Sequence, residues 1–174
     1  QSKFPKDSTI TSTIKNISGM KTDSLFTKAS PLYNNKQNKE AINTYLSINP
    51  ATADSMIGVA TSYQELGDRD NAIAYYQKAL ELKPVDSDIA YYMAVLYGEK
   101  EDLDHAKIYL IKSLTINKNN TQASEYLTSI LEAEKSNLLN DAIALYDENK
   151  YDESLVKFNE LLSRDAKNSY ALYY

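Results

Sequence analysis

The sequence predicts an all-α protein built from stacked helix hairpins, and three observations carry that prediction. The first is the stretch Met56 to Pro84, where two amphipathic helical patterns flank a turn containing Gly67. The second is that the pattern returns. Ala72 and Ala106, small residues at the same place in successive hairpins, mark a period of about 34 residues. The third is the absence of Gly and Pro from Asn120 to Glu148, where apolar residues keep helical spacing.

Within Met56 to Pro84 the small residues Ala60 and Ala72 sit where two helices must cross. Met56, Val59, Tyr63, Tyr76 and Leu80 fill the spaces between. Gly67 ends the first helix, since a left-handed backbone costs glycine little. Asp68 and Asp70 supply side-chain oxygens to cap the second. The order Met56-x2-Val59-Ala60-x2-Tyr63, then Ala72-x3-Tyr76, then Pro84, resembles the tetratricopeptide repeat, with Met56 in the usual Trp place. The resemblance extends over about 22–174. It implies a right-handed solenoid of helix hairpins and, for function, a protein–protein interaction scaffold.

The elements follow in order. Residues 1–21 are rich in Ser, Thr and Lys and read as a tether or a poorly ordered lead-in. A first, irregular repeat occupies 22–52. Its second helix is recognisable from Glu40 to Leu46, while Pro31 should kink its first helix or make it start late. Ala41 and Ala72 stand closer together than one full period, which predicts a second helix about one turn short. Repeat two is 53–86 and repeat three 87–120. Repeat three reads Ala90-x2-Met93-Ala94-x2-Tyr97, then Ala106-x3-Leu110, with Glu101 where repeat two has Gly67 and Lys118 where it has Pro84.

After Asn120 the hairpin pattern breaks. Residues 121–134 read as a first helix with no turn after it, and Leu138 to Tyr146 begin another first helix. Ser154, the next small residue at a crossing, follows Ala106 by one repeat and about four further turns of helix. That excess rotates a helix by about 1,400°, close to whole turns, so the apolar faces nearly align. One continuous helix across about 121–148 is therefore predicted, its front half capping the three repeats so that repeats and cap together span 22–134. Its back half opens a second array at 135–174, made of one repeat (135–168) and the start of the next (169–174). Asp141 fits this reading, because it stands where a repeat would pack an apolar side chain against a preceding helix that is missing here.

Composition narrows the function classes. The chain is 43% hydrophobic and 25% charged, with a net charge of −5. An acidic chain with scattered lysines argues against a nucleic-acid partner, which needs a basic patch. No apolar run approaches the length of a membrane-spanning helix, so no membrane span is expected in this piece. The absence of cysteine removes disulfides, thiolate nucleophiles and Cys-type zinc sites. The chain opens at Gln1 and closes at Tyr174 inside a helical pattern, so a longer parent protein is expected. The Ser/Thr-rich lead-in and the lack of Cys lean toward an extracytoplasmic place, periplasm or cell envelope, with cytoplasm the alternative.

No catalytic constellation, metal site or cofactor motif is predicted. His105, the one histidine, stands beside Asp102 and Asp104 at a helix start. It could be a metal ligand or general base, but an exposed helix-start residue suits its repeat position better. Glu99, Glu101, Asp102 and Asp104 lack the spacing and central Gly of a calcium loop. Fifteen tyrosines without a Trp are the unusual feature. Tyr63, Tyr76 and Tyr97 fall on core positions.

In the family resembled, the second, fifth, ninth and twelfth positions of each first helix line a concave groove. The resemblance thus assigns to the groove Asp54, Ile57, Thr61 and Gln64 in repeat two, and Asp88, Tyr91, Val95 and Gly98 in repeat three. Repeat one gives Asp23, Phe26, Ser30 and Tyr33, and the capping helix Gln122, Glu125, Ser129 and Glu132. The expected partner is a peptide or protein segment with apolar anchors and net positive charge. Phe26, Ile57, Tyr91 and Glu125 at the fifth position are not the Lys, Asn and Arg of carboxylate-clamping co-chaperones, so a chaperone-tail ligand is not expected. The alternative is that Phe26 and Tyr91 are covered by neighbouring side chains. A self-assembling, homo-oligomeric scaffold, or an accessory domain of a larger enzyme, are the other two function classes.

Overall fold

A computed structural model of the chain describes residues 7–173, with side chains from residue 19 onward. Among the described residues every regular element is an α-helix. In order they are α1 (Asp7–Asn34), α2 (Asn38–Leu46), α3 (Ala53–Glu65), α4 (Arg69–Leu82), α5 (Ser87–Glu99), α6 (Leu103–Ile116), α7 (Thr121–Asp147), α8 (Tyr151–Arg164) and α9 (Ser169–Tyr173). The chain divides into two compact units, Gln1–Asn120 and Thr121–Tyr174.

Unit one is three helix hairpins, α1/α2, α3/α4 and α5/α6. Its main core joins Met56 and Ala60 of α3, Ala72, Tyr76, Ala79 and Leu80 of α4, and Ile89, Met93 and Leu96 of α5. A second cluster joins Ala29 of α1, Ala41, Ile42 and Tyr45 of α2, Ile48 and Val59. Ala60, Ala72, Ala94 and Ala106 are all 0% exposed, the small residues that let backbones approach at each crossing. Each large side chain buried in these clusters is worth roughly 1.5–3 kcal/mol.

The hairpin turns share one geometry. Gly67 has φ 76°, and the same left-handed conformation recurs at Lys36, Glu101 and Asn149. In each turn the following residue donates its N–H five residues back: Gln37 to Leu32, Asp68 to Tyr63, Asp102 to Tyr97 and Lys150 to Leu145, all at 2.8–3.0 Å. Asp68 then caps α4 by accepting from Asn71 N at 3.1 Å, and Asp102 caps α6 by accepting from His105 N at 3.2 Å. Asp70, also expected as a cap, instead pairs with Lys100.

The N-terminal region differs from the expectation. Residues 1–6 lie outside the described residues, but from Asp7 the expected lead-in is helical and continuous with the first helix of repeat one. Ile10, Ile14 and Ile17 recur at helical spacing there, and Gly19 is the one glycine between Asp7 and Pro31. Nor does Pro31 delay the helix. It sits in the last turn of α1, where a lost backbone donor disturbs little that follows, and its carbonyl still accepts from Asn35 at 3.0 Å. The short spacing before repeat two has a simple source: α2 has 9 residues where α4 and α6 have 14.

Unit two is organised by α7, a single helix of 27 residues over the span read as continuous. The boundary expected after residue 134 falls inside this helix, and the division between compact units comes at its N-terminus instead. Leu138 and Ala142 of α7 pack with Phe158 and Leu161 of α8 and Ala171 of α9. Ser154 Oγ, 1% exposed, donates to the Ala142 carbonyl at 2.7 Å, which fixes α8 against α7 where a larger residue would hold them apart. Asp141 is exposed.

Candidate functional site

The residues assigned to a groove fall into three groups. Phe26, Tyr33 and Ile57 are half-buried and lean on the core. Phe26 meets the Tyr45 ring edge-on at 5.5 Å, with Tyr33 on the same cluster, and Ile57 packs against the α3/α4/α5 core. Covering by neighbours is therefore part of what these side chains do. Burial raises the Tyr33 phenol pKa, and nearby Glu65 and Tyr45 add to the effect. Thr61 is turned inward on its own helix, its hydroxyl donating to the carbonyls of Ile57 and Gly58 at 3.1 Å. Gln64 is half-buried at the end of α3.

The second group is on α5. Tyr91 and Val95 are half-buried, and Tyr91 lies 5.8 Å from Tyr92, their rings tilted by 55°. Tyr92, 41% exposed, stacks in turn on Tyr76 at 5.7 Å. Tyr91 is thus linked through Tyr92 to a fully buried ring. Tyr92 is not among the groove positions that the repeat assigns, although two adjacent tyrosines on one helix must point to different sides and only one can follow the core. The Tyr76 hydroxyl has no hydrogen-bond partner among the described residues. Burial pushes its pKa up, and the Tyr92 and Tyr33 phenols push it further.

The third group is charged. Asp54 and Asp88 are exposed in the first turns of α3 and α5, and both act electrostatically on Lys83. The Lys83 pKa is raised first by its hydrogen bond to Asp86, at 2.7 Å, with Asp54 and Asp88 contributing further. Lys83, ion-paired with Asp86, is a cation that the repeat pattern does not reveal. Glu125 and Glu132 are exposed on α7, in unit two, where Glu132 pairs with Lys135 at 2.8 Å.

His105 is exposed. Its Nδ1 meets Asp102 Oδ2 at 2.8 Å and its ring stacks on Tyr97 at 4.9 Å, which in turn stacks on Tyr109 at 5.4 Å. That places it in a capped helix start rather than a cleft. Among the described residues no group of His, Asp or Glu is arranged to hold a metal ion, and no helix is long and apolar enough to cross a membrane.

Hairpins of near-identical turn geometry, packed through small residues at fixed spacing, define a helical-repeat protein. The family model of the tetratricopeptide repeat matches residues 53–86 and 88–120, so the hairpins α3/α4 and α5/α6 are tetratricopeptide repeats. No curated protein matches the sequence. Among solved structures, the type III secretion chaperone SycD of Yersinia enterocolitica, in complex with a peptide of the translocator YopD, is similar at 19% identity and a TM-score of 0.58. The match covers 64% of this chain and 89% of that one. The second repeat domain of human RPAP3, in complex with an HSP70 peptide, is similar at 19% identity and a TM-score of 0.59, covering 65% of this chain and 97% of that one. MamA is similar at 16% identity and a TM-score of 0.57, covering 85% of this chain and 80% of that one. At these identities the likeness is one of fold.

Proposed function

We propose that the chain is a non-catalytic protein-interaction scaffold that holds a peptide or protein segment on the face formed by α1, α3 and α5. The observation that carries this reading is Tyr91, a half-buried ring of α5 set against Tyr92, which itself stacks on the buried Tyr76 ring. Aromatics already held in place lose little freedom when a ligand covers them, which is what makes such side chains good anchors. In this reading the half-buried Ile57 and Val95 add apolar surface, and the exposed Asp54 and Asp88 stand in the first turns of the same two helices. The similar structures of SycD and RPAP3 each contain a peptide, which supports the same class of ligand here. The ligand in this reading has apolar anchors and net positive charge, the charge matched to the exposed Asp54 and Asp88.

The test is a pull-down from the source cell's lysate with parent and Tyr91→Ala protein, followed by calorimetry on each captured partner. Loss or weakening of a partner with Tyr91→Ala, at unchanged helix content, is the expected result. Identical partners with equal affinities would remove this face from the account. A self-assembling scaffold is the second reading, favoured by Ile108 and Ile111 of α6. They are 58% and 55% exposed where the repeat-equivalent positions of α4 hold Ala74 and Gln77. Light scattering across concentration, with Ile111→Glu as the comparison, decides it.

A further inference from the structure

Apart from that face, unit two holds a recess of about 200 Å³ where α7 gives way to α8. Two of its walls are tyrosines: Tyr146 in the last turn of α7 and Tyr151, the first residue of α8. Their rings lie 5.3 Å apart at 69°, so they bound a corner rather than a flat surface. The Tyr151 hydroxyl donates to Asn149 Oδ1 at 2.7 Å, which fixes that ring. Ser154 and Phe158, both buried, close the recess from beneath, while Leu155 and Asp152 are exposed at its mouth.

An aromatic corner can take an apolar group or a cation, and charge decides between them. Unit two has ten carboxylates against five lysines and arginines, whereas unit one balances at fourteen of each, so the whole net charge of −5 belongs to unit two. Asp152 lines the recess itself, and Lys150, the cation next to it, already pairs with Glu148 at 2.7 Å. The C-terminus of α7 and the N-terminus of α8 meet here, so their opposed partial charges roughly offset each other. Asp152, exposed in the first turn of α8, is the carboxylate that lines the recess.

We propose that this recess receives a lysine side chain from a basic protein partner. The aliphatic stem lies along Leu155 and Phe158, and the ammonium group sits against the tyrosine faces with Asp152 as its counter-ion. The site is separate from the α1/α3/α5 face and does not depend on that reading.

The test is an amide NMR titration of the full chain with N-acetyl-lysine methylamide, using N-acetyl-norleucine methylamide as the uncharged comparison. The amides of Tyr146, Tyr151, Asp152 and Leu155 should shift saturably, with the lysine compound favoured by about threefold or more, the range of an exposed cation–π contact. Asp152→Asn, an exposed change on the surface of α8, should reduce the lysine preference without abolishing it, since the tyrosine faces remain, and Tyr151→Leu should abolish the shifts. Equal affinity for the norleucine compound would make the recess merely apolar. Absence of saturable shifts would remove the site, and tighter binding of choline than of the lysine compound would make it a small-molecule site. Each of these three results overturns the proposal.

Discussion

Glu101 carries its side chain through a left-handed turn. It takes φ 61° where repeat two has Gly67, although a side chain there costs about 1 kcal/mol or more. Glu101→Gly should therefore stabilise unit one by about 0.5–1 kcal/mol, and Gly67→Ala should destabilise it by a similar amount, both measured by urea unfolding. At Gly67 the cost is conformational alone, since an added Cβ would meet nothing within 4 Å. Gly58 is the opposite case: a Cβ there would stand 2.6 Å from the Tyr45 ring, which is buried and cannot swing away. Gly58→Ala should cost about 1–3 kcal/mol by overpacking. Tyr76 separates ring from hydroxyl. Tyr76→Ala should cost about 3–5 kcal/mol through the cavity it leaves, as should Leu110→Ala at about 2–5 kcal/mol. Tyr76→Phe removes a buried hydroxyl without a partner and should be neutral or stabilising by up to about 1 kcal/mol. The core positions of Tyr63, Tyr76 and Tyr97 were legible in the sequence because the repeat fixes them. The role of Tyr92 was not, because stacking across helices leaves no mark in sequence spacing.

At the scale of elements, the N-caps carry a pH dependence. The Asp68 carboxyl is held below the ordinary carboxylate range by the Asn71 side-chain amide and then by the Asn71 backbone N–H. At Asp102 the His105 side chain and then the His105 backbone N–H have the same effect. Both groups bind protons less readily folded than unfolded. Their contribution is therefore complete above the ordinary carboxylate pKa and is lost as pH falls through the lower folded value. Thermal melts between about pH 5 and 2 should show a shallower fall for Asp68→Asn than for the parent. The long helix makes a sharper test. Gly-Pro inserted after Glu134 should break α7 at a cost of about 3 kcal/mol or more, seen as lost hydrogen-exchange protection around the insertion. Protection equal to the parent would mean that α7 is not one helix in solution. Its continuity was readable because the extra turns nearly preserve the apolar face and nothing in the stretch breaks a helix. The start of α1 was missed for the converse reason: Ser and Thr dominate the composition there and hide three isoleucines at helical spacing.

For the whole molecule, the sequence shows a net charge of −5 but not that it belongs entirely to the segment after Asn120, since that needs the boundary between the units. The tyrosines divide as unevenly in kind. Tyr63 stacks on Tyr75 at 5.6 Å and 18°, and one repeat later Tyr97 stacks on Tyr109 at 5.4 Å and 10°. In unit two, Tyr146 meets Tyr151 edge-on. Parallel phenol rings at such separations couple their electronic transitions, and with no Trp to mask them the chain carries its own optical label. Near-ultraviolet circular dichroism should therefore track the melting of the repeats in 53–120, while the far-ultraviolet signal follows every helix. Two transitions that part company between these wavelengths would time the unfolding of each unit with no dye, tag or substitution.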